Sequence, residues 1–274
     1  LAEARSVLGG RVAHECKLPG LATWSRVRDY REQQFIRLSN VEVYCESTLT
    51  ADHLREFSIP RLVLATGASW RRDGIGHQHK TTIIGSSGAN VLTPDDLFAG
   101  AIPVGPVVVY DDDHYYLGGV IAEQLQGFGL DVTLVTPATD VSNWTHATLE
   151  HTWIEQRLHK IGICIIEKHA LTQISLEGVE IEHVVSRQVR AMPCASIVLV
   201  TSRFSNDALY HELVADDGAL TSAGIISVTR IGDCLAPSTI AAAVYAGHRY
   251  ACGIYNQPPN GVPFLHELPE LGSF

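Results

Sequence analysis

Three aspartates stand in a row at positions 111–113, inside "VVVYDDDHYYLGG" (107–119). An apolar β-branched run, a tight turn and a helix-forming run ("GGVIAEQLQGFG") open a dinucleotide-binding unit in that order. Such a turn ordinarily carries G-x-G-x-x-G, because backbone amides must approach a pyrophosphate at a helix N-terminus. A carboxylate about 6 Å from a phosphate charge, at an effective dielectric of about 20, is repelled by roughly 2.8 kcal/mol. The helix N-terminus returns roughly 0.3–1 kcal/mol, about 2 at best. Repulsion wins unless Asp111, Asp112 and Asp113 point away. After the next strand, Thr136 and Pro137 stand where an acid would select NAD or an arginine would hold a 2′-phosphate. The segment therefore reads as a nucleotide fold with a lost ligand, its acids acting as caps and turn residues.

Other residues fit nucleotide chemistry better. Glu3 ends the opening strand, where an acid can accept from the ribose hydroxyls of an adenosine. A solvated strand-end glutamate is the plainer alternative. Gly9 and Gly10 let backbone pass close to a ligand, and Arg11 could bridge to phosphate; an ordinary tight turn would use the same glycines. "ATG" (Ala65, Thr66, Gly67) ends another strand with small residues that let the chain touch an adenine or flavin edge. "IGD" (231–233) ends a third: Gly232 admits the ligand and Asp233 accepts from a ribityl hydroxyl. Amides near Ser238 and Thr239 open the next helix and suit an anion or carbonyl. "GHQHK" (76–80) has two histidines but no neighbouring Cys, Asp or Glu in sequence, and reads as a polar loop. No catalytic and no metal-ligating residue is assigned.

The elements that must hold these residues alternate. Helical spacing of Trp24, Val27, Tyr30, Arg31, Phe35, Ile36 and Leu38 predicts a helix over 22–39. A strand is expected at 41–47, a helix capped by Thr50 at 50–57, a strand at 61–69, loop at 71–91, and a helix started by Thr93 and Pro94 at 93–100. Strand 107–110, helix 117–128, strand 131–136, helix 145–161 and strand 163–167 follow. A β-rich stretch at 170–190, strands 196–203 and 224–233, and a small-residue helix over 236–255 complete the order. Strands alternating with helices imply an α/β fold with parallel sheets.

Composition narrows the partners. The 274 residues are 46% hydrophobic and 18% charged, with a net charge of −10. That charge argues against nucleic acid and anionic membrane. No apolar run approaches the roughly 20 residues that span a bilayer. The six cysteines (16, 45, 164, 194, 234, 252) include no C-x-x-C and read as thiols of a cytoplasmic protein.

In combination, "GGRVAHECKLPGLATWSRVRDYREQQ", "LVLATGASWRRDG", "VVVYDDDHYYLGGVIAEQL", "DVTLVTP", "THATLEHTWIEQRLHKIGI" and "RIGDCLAP" resemble the C-terminal half of the trimethylamine dehydrogenase family. That flavoprotein family includes dimethylamine and histamine dehydrogenases, N-methylproline and dimethylglycine demethylases and, more distantly, 2,4-dienoyl-CoA reductase. The resemblance covers nearly the whole chain.

It implies two Rossmann-like domains of the FAD/NAD(P)-binding, disulfide-reductase type, one inserted in the other. An FAD/ADP-binding-like domain is expected over 1–104 and 222–274, and a degenerate NAD(P)-binding-like domain over 105–221. Ligand roles carry over to Glu3, Gly9, Gly10, Arg11, Ala65, Thr66, Gly67, Gly232 and Asp233. FAD or ADP is the expected ligand, held weakly, because the first strand and glycine loop are missing ahead of Leu1. FMN and a 4Fe-4S cluster belong to an N-terminal (β/α)8 barrel of the same polypeptide, also missing here. The expected function is the electron-transfer-side module of an N-methylated amine dehydrogenase or demethylase, inactive alone. Its partners would be the barrel, an electron-transfer flavoprotein and further copies of itself. The alternatives are an NAD(P)H-dependent enoate reductase module of the 2,4-dienoyl-CoA type, and a non-redox nucleotide-binding or docking module.

Overall fold

The structure, a computed structural model, describes residues 1–254. Helix α1 (Val12–Glu15) precedes a 3-10 turn (Ala22–Trp24) that runs into α2 (Ser25–Arg37). Then come α3 (Ala51–Phe57), β1 (Arg61–Leu64), β2 (Ala68–Trp70), β3 (Val91–Leu92) and α4 (Pro94–Phe98). The next stretch is β4 (Val107–Asp111), α5 (Leu117–Gly127), β5 (Val132–Val135), a 3-10 turn (Asn143–His146), α6 (His151–Lys160) and β6 (Cys164–Ile166). Strands β7 (His169–Ile174), β8 (Gly178–His183), β9 (Val189–Pro193), β10 (Ser196–Val200) and β11 (Arg203–Ser205) follow. The described chain ends with α7 (Ala208–Val214), α8 (Asp217–Ser222), β12 (Ser227–Arg230), a 3-10 turn (Gly232–Cys234) and α9 (Ile240–Gly253).

The fold is mixed α/β. Its largest sheet has the order β3-β10-β4-β5-β6, and every neighbouring pair is parallel. All five residues of β4 and all five of β10 are buried. Burial on both faces is why these strands read as continuous apolar runs instead of alternating ones. Val107, Val109, Leu134 and Val198 face Leu117, Ile121 and Leu125 of α5. Val108, Tyr110, Ile197 and Leu199 face Leu171, Val179 and Ile181 of the antiparallel sheet β7-β8-β9. Each such buried side chain contributes about 1.5–3 kcal/mol. Strands β2 and β11 form a two-stranded ribbon, and β1 pairs in parallel with β12.

Local signals placed several helix starts. Thr50 and Thr93 both close capping boxes, with His53 and Asp96 respectively. Other expectations fail for identifiable reasons. The strand expected at 41–47 is reduced to one parallel bridge between Ala2 and Tyr44, and no residue of that stretch is buried to fix a strand face. The strand expected at 61–69 divides into β1 and β2, with Gly67 at φ 76° between them. The helix expected over 145–161 begins only at His151, because Leu149 takes φ 62° and breaks it. Of the helix expected over 236–255, the structure shows Ile240–Gly253; Tyr255 and the remainder of the 222–274 segment lie outside the described residues.

Two compact units emerge. One comprises Leu1–Glu46 and Ser69–Phe204, the other Ser47–Ala68 and Ser205–Phe274. This grouping places 1–46 and 69–104 with the five-stranded sheet, whereas the motifs suggest boundaries at 105 and 221. The physical ties are visible: β3 pairs with β10, and the Tyr116 hydroxyl bonds Glu15 of α1. In the second unit β1 and β12 pack with α3 and α7 around Ala51, Leu54, Leu62, Leu64, Leu213, Ile225 and Cys234. Among the described residues no helix is long and apolar enough to cross a membrane.

Candidate functional site

In the first unit, strand order reverses between β4 and β10, and ligands of open parallel sheets bind beyond the carboxyl ends of such strands. The three aspartates stand there. Asp111 and Asp112 are both fully buried. Asp111 Oδ1 accepts from the amides of Asp113 (3.2 Å) and His114 (3.1 Å). Its carboxyl presses on the first turn of α5: a Cβ at Gly118 would lie 2.6 Å from Asp111 Cγ. Burial pushes the Asp111 carboxyl up to about 7. Both oxygens of Asp112 accept from the Gln78 amide, at 3.1 and 2.9 Å, and Oδ1 lies 3.1 Å from His114 Nε2. Burial alone would depress His114, but its bond to Asp112 and the neighbouring acids outweigh burial and raise it.

The "GHQHK" segment is a polar loop, as expected, but one tied to the acidic turn through the Gln78 amide. Gly76 N–H donates to His79 O, and Ser202 Oγ donates to Ile75 O. A Cβ at Gly76 would stand 2.3 Å from Asp112 Oδ2. His77 packs edge-on to Trp144, with ring centroids 4.7 Å apart. Burial lowers the pKa of His79. The chain thus closes over its own acidic turn at Asp112. A turn with two buried carboxyl groups and no glycine loop is a poor fit for the pyrophosphate of NAD(P).

The second unit brings "ATG" and "IGD" together. Leu64 pairs with Arg230, and the Ile231 amide donates to Leu64 O at 3.0 Å. Ala65–Gly67 and Gly232–Asp233 thus leave the carboxyl ends of adjacent parallel strands. Thr66 Oγ1 donates to Asn206 O and lies 3.0 Å from Cys234 Sγ. The Asn206 amide returns a bond to Gly67 O at 2.9 Å. Asp233 Oδ1 accepts from the Ser238 amide at 3.0 Å, which sets the approach to α9, and Thr239 caps that helix. Ala65 and Thr66 are exposed. Gly67 has φ 76°, and a Cβ there would meet nothing within 4 Å, so the corner has room for the edge of a planar ligand. These residues fit an adenine nucleotide or FAD.

Glu3, Gly9, Gly10 and Arg11 lie in the first unit. Glu3 Oε1 accepts from the Arg5 amide at 3.0 Å, and its own amide donates to Tyr44 O at 2.8 Å. Gly9 and Gly10 take φ 105° and 49°, the left-handed turn that favours glycine. Arg11 Nε bonds Glu15, which is fully buried and also accepts from Tyr116. This guanidinium balances an internal carboxylate, a role its sequence position did not signal.

The comparisons extend this picture. Residues 92–191 match the family described as OYE-like second alpha/beta domain. The dimethylamine dehydrogenase of Hyphomicrobium sp. (strain x) is 32% identical over 300 residues, spanning 100% of this chain and 41% of that protein. A histamine dehydrogenase structure from Rhizobium sp. 4-9 is 44% identical with a TM-score of 0.93, over 99% of this chain and 42% of that one. The chain is homologous to dimethylamine and histamine dehydrogenases. It is also 39% identical to a 6-hydroxypseudooxynicotine amine oxidase from Pseudomonas geniculata N1, with a TM-score of 0.89 over 93% of this chain and 38% of that one. This homologue of the amine dehydrogenases spans about two fifths of the length of the relatives it matches.

As an amine dehydrogenase homologue, the chain invites a test for iron–sulfur ligands. All six cysteines are free thiols, Cys194 and Cys234 buried and Cys45, Cys164 and Cys252 exposed. Among the described residues the group with metal-ligand spacing contains none of them: it is Asp140, His146 and His151. A 4Fe-4S cluster therefore does not fit these residues. Sequence reading missed the Asp140 group because its spacing matches no familiar ligand motif. His146 Nε2 lies 2.8 Å from Asp140 Oδ2, and that bond holds the Asp140 carboxyl below its ordinary range.

Proposed function

We propose that this chain is the nucleotide-binding, electron-transfer-side module of a flavin- and iron–sulfur-dependent amine dehydrogenase or demethylase acting on a small N-methylated or related amine. The homology supports the amine class. On this reading the hydride acceptor is FMN held outside the described residues, beside a 4Fe-4S cluster in a barrel domain of the same polypeptide. The adenine-nucleotide region, for FAD or ADP, uses Thr66, Gly67, Gly232 and Asp233. Gly67 leaves room for the ligand edge, and Asp233 accepts from a hydroxyl. Glu3 is assigned the ribose acid, and Gly9 and Gly10 the close backbone approach. The interrupted-domain reading, with 1–104 and 222–274 around 105–221, belongs to the same proposal, supported by the pairing of β1 with β12.

The observation that carries the choice of electron acceptor is the Asp111 carboxyl packed on Gly118. It favours transfer to a separate electron-transfer flavoprotein over exchange with NAD(P), and so disfavours the enoate reductase reading. The test is the complete parent protein, assayed with dimethylamine, histamine and dimethylglycine. Amine-dependent reduction of a one-electron dye, with no reduction of NAD+ or NADP+, is expected. Oxidation of NADPH by an enoyl-CoA would overturn the reading, as would amine turnover by the 274-residue chain alone.

A further inference from the structure

The connection from β5 to α6 gathers three donors that neither nucleotide chemistry nor the acidic turn uses. Asp140, His146 and His151 offer ligand atoms that all lie within 4.8 Å of one another. His146 and His151 stack with ring centroids 3.7 Å apart and planes inclined by 17°. Asp140 Oδ2 receives His146 Nε2 at 2.8 Å and Asn143 Nδ2 at 3.2 Å. His151 is only 7% exposed, and its Nε2 is buried with no hydrogen-bond partner. Its other nitrogen, Nδ1, stands 4.0 Å from Glu155 Oε2. A buried imidazole nitrogen without a partner costs about 1–3 kcal/mol unless something satisfies it.

We propose that Asp140, His146 and His151 form a binding site for one borderline divalent transition ion of the Zn2+, Co2+ or Ni2+ class. Two imidazoles and one carboxylate match that class, whereas Ca2+ and Mg2+ prefer all-oxygen shells. Metal–ligand bonds of about 2.0–2.2 Å in tetrahedral array put donor atoms about 3.4 Å apart. Binding therefore requires Asp140 and His146 to part slightly from 2.8 Å and the widest pair to close by roughly 1.4 Å. The exposed His146 ring must also turn out of its stack on His151, so that both in-plane lone pairs meet on the ion. His146 is 55% exposed at its side chain and Asp140 35%, so the ion has an entry path and water can complete its shell. Binding would tie Asp140 and the 143–146 turn to the first residue of α6. That turn carries Trp144, whose amide donates to His114 O at 2.9 Å, so the ion would also brace the cover over the acidic turn.

The test is calorimetric titration of the 274-residue chain with ZnCl2, and absorbance titration with CoCl2, in chelator-free buffer. One ion per chain at micromolar strength is expected, with cobalt d–d bands of a nitrogen/oxygen shell and no thiolate charge-transfer band. His151→Ala and the surface change His146→Ala should each weaken binding at least about 30-fold. Asp140→Asn should weaken it about tenfold or more. Cys252→Ser, which removes the thiol 3.6 Å from His248, should leave binding unchanged. Binding no better than millimolar would overturn the proposal. So would full binding in His146→Ala and His151→Ala, or binding lost only with Cys252→Ser. Should His151→Ala fail to fold, His146→Ala alone decides.

Discussion

The carboxyl of Asp111 lies so close to Gly118 that a Cβ at 118 would meet Asp111 Cγ at 2.6 Å and Cβ at 2.7 Å. One residue ends a central parallel strand, and the other belongs to the first turn of the helix that follows. In a dinucleotide-binding unit the gap between two such positions belongs to phosphate. Here the carboxyl of Asp111 packs there, and because burial lifts its pKa to about 7 it keeps its proton well above the ordinary carboxylate range.

Gly118→Ala should therefore destabilise the chain despite alanine's better helix propensity. Overpacking against a buried side chain costs about 1–3 kcal/mol, against a propensity gain of about 1 kcal/mol. Urea denaturation measures the loss. Combined with Asp111→Ala the penalty should shrink, giving a coupling of at least about 0.5 kcal/mol in a double-mutant cycle. Additive effects would mean that the two residues do not touch.

The same carboxyl makes stability depend on pH. Its pKa is raised from 3.8 to about 7, so the folded chain holds this proton more tightly than the unfolded chain does. Between about pH 4 and 7 the folded state binds more protons, and stability falls as pH rises. Three pKa units correspond to about 4 kcal/mol across that window. His114, also raised, acts in the same direction. Chemical denaturation at pH 5.5 and pH 8 should show wild type losing stability at the higher pH. Asp111→Asn should lose much less, and an equal slope in both proteins would contradict the assignment.

Arg11 is expected to matter before any nucleotide is added. It bonds the fully buried Glu15, and removing one partner of a buried ion pair costs about 3–5 kcal/mol. Arg11→Met should lower stability by about that amount in nucleotide-free protein, and Glu15→Gln should recover part of it. A variant with wild-type stability would return Arg11 to the phosphate-gripping role its position beside Gly10 suggests.

How much of this was written in the sequence depends on the range of the interactions. Val107–Tyr110 and Val132–Val135 were legible as strands because β-branched runs buried on both faces leave a local trace. Thr50 and Thr93 were legible as caps because a capping box spans only a few residues. The order of "ATG" and "IGD" carried the second unit's corner. By contrast, the Tyr116 bond to Glu15 joins residues 101 apart, and no local pattern announces it. The left-handed backbone at Leu149, an exposed residue, interrupts a helix that periodicity favoured, and periodicity carries no signal for it. The acidic character of the 111–113 turn was readable from the sequence alone. The burial of Asp112 against Gly76 and Gln78 was not, because it depends on how that segment folds back onto the strand end.

The central claim is that adenine-nucleotide recognition uses the "ATG" and "IGD" corner while the acidic turn takes no nucleotide. Backbone hydrogen exchange of the chain with ADP or NADPH at about ten millimolar tests it most directly, since that concentration fills even a weak site. The expected result is ADP-dependent protection across 65–67 and 232–239, with no change at 111–119 under either nucleotide. Protection of 111–119 by NADPH would contradict the account, as would ADP leaving 65–67 and 232–239 untouched.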